Sequence, residues 1–204
     1  MTTSALPKES VSSNSLTEII PEPTRSSPFT GLIAELFDRS ERTMRTGVMV
    51  TSTHRQAGVS FVCSCIAAEL AAKGAKVLLV DAHALLAVRM YPSDLVVSLC
   101  RKVGPHELWV LGMEEVDGVV LGTEEICGSA IGTLLHALER KFPYLLIDAP
   151  AVSAGPDAHL LATSIYGTVL VTRADQTRDV ELKHTHEALT EFGGRVVGTI
   201  FNGH

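Results

Sequence analysis

The sequence predicts a single α/β domain in which a mostly parallel sheet is flanked by helices on both faces. Three observations carry that prediction. From residue 47 onward, short aliphatic runs alternate with helical stretches, the order expected of parallel strands joined by crossover helices. The runs (VMV, VLLV, YLLI, TVLV) are nearly continuous in apolar residues rather than alternating, as strands covered on both faces are. The chain has 204 residues, 46% of them hydrophobic and only 20% charged, enough apolar material for one sizeable core.

Taken in order, residues 1–28 are rich in Ser, Thr and Pro without sustained periodicity. Such a segment buries too little apolar surface to offset its ordering entropy, so a disordered tail is expected. Residues 29–44 (FTGLIAELFDRSERTM) place Leu32, Ile33, Leu36 and Phe37 on one helical face, an amphipathic helix that docks on the domain or on a neighbouring subunit. GVMVTS (47–52) is a strand, THRQAG a turn, and 59–74 a helix that Gly74 can cap in a left-handed conformation. KVLLVD (76–81) is a strand ending on aspartate. A mixed region, 82–105, holds a helix at SDLVVSLCRKV (93–103), and HELWVLG (106–112) is a strand. Residues 123–141 form a helix with acids at its start and bases at its end, matching the helix dipole. FPYLLIDAP (142–150) is a strand that reaches a second aspartate. PDAHLLATS (156–164) is a short helix, GTVLVTR (167–173) a strand, 177–194 a helix and 195–204 a last strand. Right-handed crossovers bring the loops after these strands, with Asp81, Asp148 and residues 53–60, to the carboxyl edge of the sheet.

Charge and composition narrow the function classes. The formal net charge of −6 opposes nucleic-acid binding, and Arg101-Lys102 and Arg140-Lys141 are isolated pairs expected at solvated helix ends. No apolar run is long enough to cross a bilayer and the N-terminus lacks a secretion signal, so a cytoplasmic protein is expected. Cys63, Cys65, Cys100 and Cys127 lack the spacing of a zinc knuckle and read as reduced thiols. His184 and His186, two apart on a helix, diverge and do not make a metal pair.

Three segments can carry chemistry. A phosphate-binding loop reads G-x-x-x-x-G-K-[ST]: glycines let backbone N–H groups curl round phosphates, lysine neutralises charge, and the hydroxyl holds Mg²⁺. Residues 53–60 keep Gly58 and Ser60, have Thr53 at the first position, and carry Val59 where lysine belongs. By itself this also fits an ordinary strand-to-helix turn. VLLVDAH and YLLIDAPAV end aliphatic runs on Asp81 and Asp148. Such carboxylates serve Mg²⁺-nucleotide sites, though each alone also fits a cap on the following turn.

Together with PDAHLL, GTVLVTRADQTR and GRVVGTIFNG, these segments resemble the bacterial tyrosine kinases of exopolysaccharide and capsule systems. Those kinases belong to the larger MinD/ParA-like class of deviant P-loop ATPases. The resemblance runs from about residue 27 to the C-terminus and implies a P-loop NTPase-like fold over residues 29–204. The nucleotide site it implies comprises Thr53, Gly58, Val59, Ser60, Phe61, Asp81 and Asp148, with Ser60, Asp81 and Asp148 on Mg²⁺ and ATP or ADP as the cofactor. The departures are concentrated there. In the stretch aligned with the family's S-x-x-P-G-E-G-K-S-T, this chain has Arg55, Gln56, Ala57, Val59 and Phe61 for Pro, Gly, Glu, Lys and Thr. After Asp81 the family's D-x-D-x-R is replaced by Ala82, His83, Ala84 and Leu85. His83 thus stands near the phosphates in place of an acid. In the N-terminal helix Glu35 is kept, but Asp38 replaces an arginine. The family's C-terminal tyrosine cluster has no counterpart, and the tyrosines present are Tyr91, Tyr144 and Tyr166. Tyr144 and Tyr166 are expected in the core and Tyr91 in an exposed loop.

The resulting expectation is a degenerate kinase-like protein, with weak or absent nucleotide binding, that regulates or scaffolds polysaccharide assembly or export. By resemblance its partner is a membrane chain-length (polysaccharide co-polymerase) protein, with related kinase subunits alongside. The alternative is an active kinase or ATPase whose phosphate cation is His54, Arg55 or a partner's residue. A third reading, a MinD/ParA-type positioning ATPase, is opposed by the acidic balance and by the lack of a basic amphipathic helix after the last strand.

Overall fold

The computed structural model describes residues 29–36, 47–117, 131–173 and 177–203. Seven strands form one sheet: β1 (Gly47–Ser52), β2 (Val77–Asp81), β3 (Arg101–Val103), β4 (Leu108–Leu111), β5 (Tyr144–Asp148), β6 (Gly167–Arg173) and β7 (Val196–Asn202). Their spatial order is β3-β4-β2-β5-β1-β6-β7, parallel throughout except for the antiparallel edge pair β3–β4. The helices are α1 (Thr30–Leu36), α2 (Val59–Ala72), α3 (Ala82–Ala87), α4 (Ser93–Leu99), α5 (Met113–Val116), α6 (Ile131–Lys141), α7 (Asp157–Ala162) and α8 (Asp179–Glu191).

Alternation along the strands divides the core in two. Met49, Leu78, Val80, Leu145, Ile147 and Leu170 face one side, packed against apolar residues of α3 to α8. Val48, Val50, Leu79, Leu146, Val169 and Val171 face the other, under α2 and Ile33 of α1. Helix α2 carries apolar or small residues nearly all round and is buried along most of its length, as a helix laid across the sheet centre must be. Gly74 follows it at φ 83°, the left-handed stop expected there.

Three expectations need correction. The stretch 93–103 is not one helix: α4 ends at Leu99, and Arg101–Val103 turn back as the edge strand β3. Arg101 and Lys102 therefore sit on a strand, opposite Val110 and Trp109, and bond Glu115 and Glu107. Tyr91, expected in an exposed loop, is half-buried against the core. Tyr144 and Tyr166 are likewise half-buried on the α2 side. The expected tail 1–28, residues 37–44 of the first helix, Asp38, Cys127 and residues 123–130 lie outside the described residues. Cys63 and Cys100 are buried and Cys65 half-buried, all three free thiols, and His184 and His186 are exposed. Among the described residues no helix is long and apolar enough to cross a membrane, and no group of three or more His, Cys, Asp or Glu side chains is placed to hold a metal ion.

Candidate functional site: a cavity at the carboxyl edge of the sheet

A cavity of about 670 Å³ opens where β1, β2 and β5 end. Its walls include Arg55, Gln56, Gly58, Val59, Ser60 and Phe61 from the loop and the start of α2, with Asp81, His83, Asp148 and Asp157 from the strand ends beyond. Parallel strands place this edge where the loops converge, so the site follows from topology. Asp81 and Asp148 are register partners on adjacent strands, which puts their Cα atoms about 4.8 Å apart. That brings both carboxylates into one site.

The two carboxylates do different work. Asp81 caps α3, with Oδ1 accepting from His83 N at 2.7 Å and Ala84 N at 3.4 Å, the local role that a strand-end aspartate alone suggests. Asp148 is only 8% exposed. Burial pushes its carboxyl up to about 7; the Asp81 carboxylate adds to the rise, and a hydrogen bond from Ser60 and the nearby His83 oppose it. The Ser60 hydroxyl and the Asp148 carboxyl are thus in hydrogen-bond contact. His83 stands between acids, with Nδ1 3.4 Å from Asp81 and Nε2 3.7 Å from Asp157.

The loop is curled and stapled. Gln56 (φ 64°) and Gly58 (φ 88°) are both left-handed, a conformation a residue with a Cβ resists. Gly58 cannot be replaced without contact, since a Cβ there would lie 2.4 Å from Asn202 Nδ2. Asn202 donates to Ala57 O at 3.0 Å. Thr53, expected on the phosphate wall, does not line the cavity; it is buried, with Oγ1 3.2 Å from Thr185 Oγ1 on α8. His54 Nε2 lies 3.3 Å from Glu181, also on α8. Asp157, Thr185 and Asn202 escaped sequence reasoning. Only Asp157 had a local signal, an acid in the first turn of a helix after a strand-end loop.

This arrangement fits a polyphosphate in shape. It offers a left-handed loop and the N-terminal N–H groups of a 14-residue helix, with a hydroxyl–carboxylate pair placed for a divalent cation. Val59 lines the cavity at the lysine position, and Phe61 beside it is 51% exposed.

No protein-family model matches the chain. It is 24% identical over 196 residues to CapB of Staphylococcus aureus, a protein assigned as a tyrosine-protein kinase, covering 89% of this chain and 86% of that one. Its fold matches the kinase domain of the Escherichia coli tyrosine kinase ETK, with a TM-score of 0.64 and 21% identity over 79% of this chain and 69% of that domain. It also matches the septum site-determining protein MinD of Pyrococcus horikoshii, solved with Mg-ADP: TM-score 0.56, 19% identity, 76% and 69% coverage. The homologues are bacterial tyrosine kinases of the capsule type, and the fold is that of the P-loop class to which MinD belongs.

Proposed function

We propose, from capsule-type tyrosine-kinase homologues and a P-loop fold, that this chain is a degenerate member of that kinase group. It regulates or scaffolds exopolysaccharide or capsule assembly and lacks phosphoryl transfer of its own. The observation that carries the reading is Val59 on the cavity wall at the lysine position, in a loop otherwise curled for phosphate. Mg²⁺, where bound, would be held by Ser60, Asp81 and Asp148 and would supply charge neutralisation between phosphate oxygens.

The chain's own residues account for the weakness. A lysine–phosphate contact contributes on the order of 1.5–3 kcal/mol, roughly ten- to a hundredfold in affinity. Val59 forfeits it, and Gln56 holds an unfavourable conformation to keep the loop curled. Residual affinity comes from the N-terminus of α2 and from a Mg²⁺ that Ser60 and Asp81 would help to hold, so Mg-ATP binds no tighter than about 100 μM, about −5.5 kcal/mol. The partner in this reading is the cytoplasmic end of a membrane chain-length protein, with related kinase subunits alongside. A phosphate-release assay on the purified chain, alone and with that partner, tests it. No turnover is expected in either case, and steady release from either sample sinks the reading.

A further inference from the structure

The cavity retains one cation with no described carboxylate beside it. His54 is turned to Glu181 on α8, and His83 lies between Asp81 and Asp157. Arg55 is exposed, lines the cavity, and pairs with no carboxylate among the described residues. It sits in a segment fixed on either side: Thr53 is held through Thr185, and Ala57 through Asn202. Its backbone is therefore presented to the cavity without a loop-ordering cost on binding.

We propose that Arg55 is the specificity-determining cation of this cavity, taking the diphosphate moiety of a nucleotide in place of the absent lysine; this rests on the reading of the cavity as a decayed phosphate site. A guanidinium is always charged and offers a planar fork of donors that matches two phosphate oxygens at once. The cavity otherwise disfavours that ligand. Asp81, Asp148 and Asp157 all line it, and His83 is engaged with two of them. Removing Arg55 leaves the helix N-terminus alone against three carboxyl groups, so the effect on an anion is larger than that of an ordinary surface charge.

Titration calorimetry of the unmodified chain, Arg55→Ala and Arg55→Lys, each with ADP and with inorganic pyrophosphate, tests this. The alanine variant is expected to weaken both ligands by at least about tenfold, equivalent to about 1.4 kcal/mol. Lysine, which keeps the charge and loses the fork, is expected to fall between. Pyrophosphate separates a phosphate contact from a nucleoside contact. Loss with ADP alone overturns the assignment, as do equal affinities of the alanine variant and the unmodified chain. An unmodified chain that binds neither ligand at millimolar concentration also overturns it. Because Arg55 is exposed and unpaired among the described residues, unchanged thermal melting is expected and verifies the fold. Turnover by the unmodified chain contradicts the regulatory reading without touching this one. An inert Arg55→Ala does the reverse.

Discussion

The two walls of one cavity have fared differently. On the strand-end wall, Asp81 and Asp148 stand in register, with Asp148 bonded to Ser60. On the loop wall, Gln56 and Gly58 hold a left-handed curl, and Val59 stands where the phosphate-loop pattern has lysine. The difference shows that shape and charge in such a site rest on separate supports. The curl is held by distant contacts, Thr53–Thr185 and Ala57–Asn202, that do not involve position 59. The carboxylates are held by the sheet itself. On the proposed reading the missing element is the counter-charge, and Asp148 is buried with no lysine or arginine paired to it among the described residues.

That imbalance gives the largest expected effect. Asp148 has a folded value of about 7 against an ordinary 3.8. Well below pH 3.8 it is neutral in both states and costs nothing. As pH rises toward 7 it ionises only with difficulty in the folded chain, and stability falls to a plateau above 7. The difference corresponds to a penalty on the order of 4 kcal/mol at pH 8. Asp148→Asn, neutral throughout, is expected to be more stable than the unmodified chain at pH 8 and about equal at pH 4. Urea denaturation at the two pH values checks this; a gain that does not depend on pH would place the cause elsewhere.

On the loop wall the effects are smaller and run in opposite directions. Gly58→Ala places a Cβ at φ 88° against Asn202 and is expected to cost about 1–2 kcal/mol. Adding Asn202→Ala relieves the contact but not the backbone share. Thr185→Ala removes the buried link to Thr53 and is expected to cost about 1 kcal/mol in thermal or chemical denaturation. Gln56→Gly relieves a left-handed side-chain residue at the expense of chain entropy, a net gain of about 0.5 kcal/mol. A destabilised Gln56→Gly would show that the Gln56 side chain, rather than the backbone, holds the curl.

The fold was legible because its strands are buried on both faces, which writes β1, β2, β5 and β6 as uninterrupted apolar runs. Asp81 and Asp148 were legible for the same reason: each ends such a run, and parallel pairing brings the ends together. The edge strand β3 was not. Its three residues, Arg101, Lys102 and Val103, continue the α4 stretch without a break signal and become a strand only by pairing with β4. That Thr53 bonds Thr185 was not legible, because counting along a motif cannot show a contact made 132 residues away. The same holds for Asn202 at Ala57, 145 residues away. Such supports have no local pattern.

The central claim is that the phosphate site keeps its shape and lacks the lysine at position 59. Titration calorimetry with Mg-ATP on the unmodified chain and on the double variant Val59→Lys, Gln56→Gly tests it most directly. The account predicts binding no tighter than about 100 μM for the unmodified chain and at least about tenfold tighter for the variant, about 1.4 kcal/mol or more. Low-micromolar binding by the unmodified chain, or no gain in the variant, would contradict it.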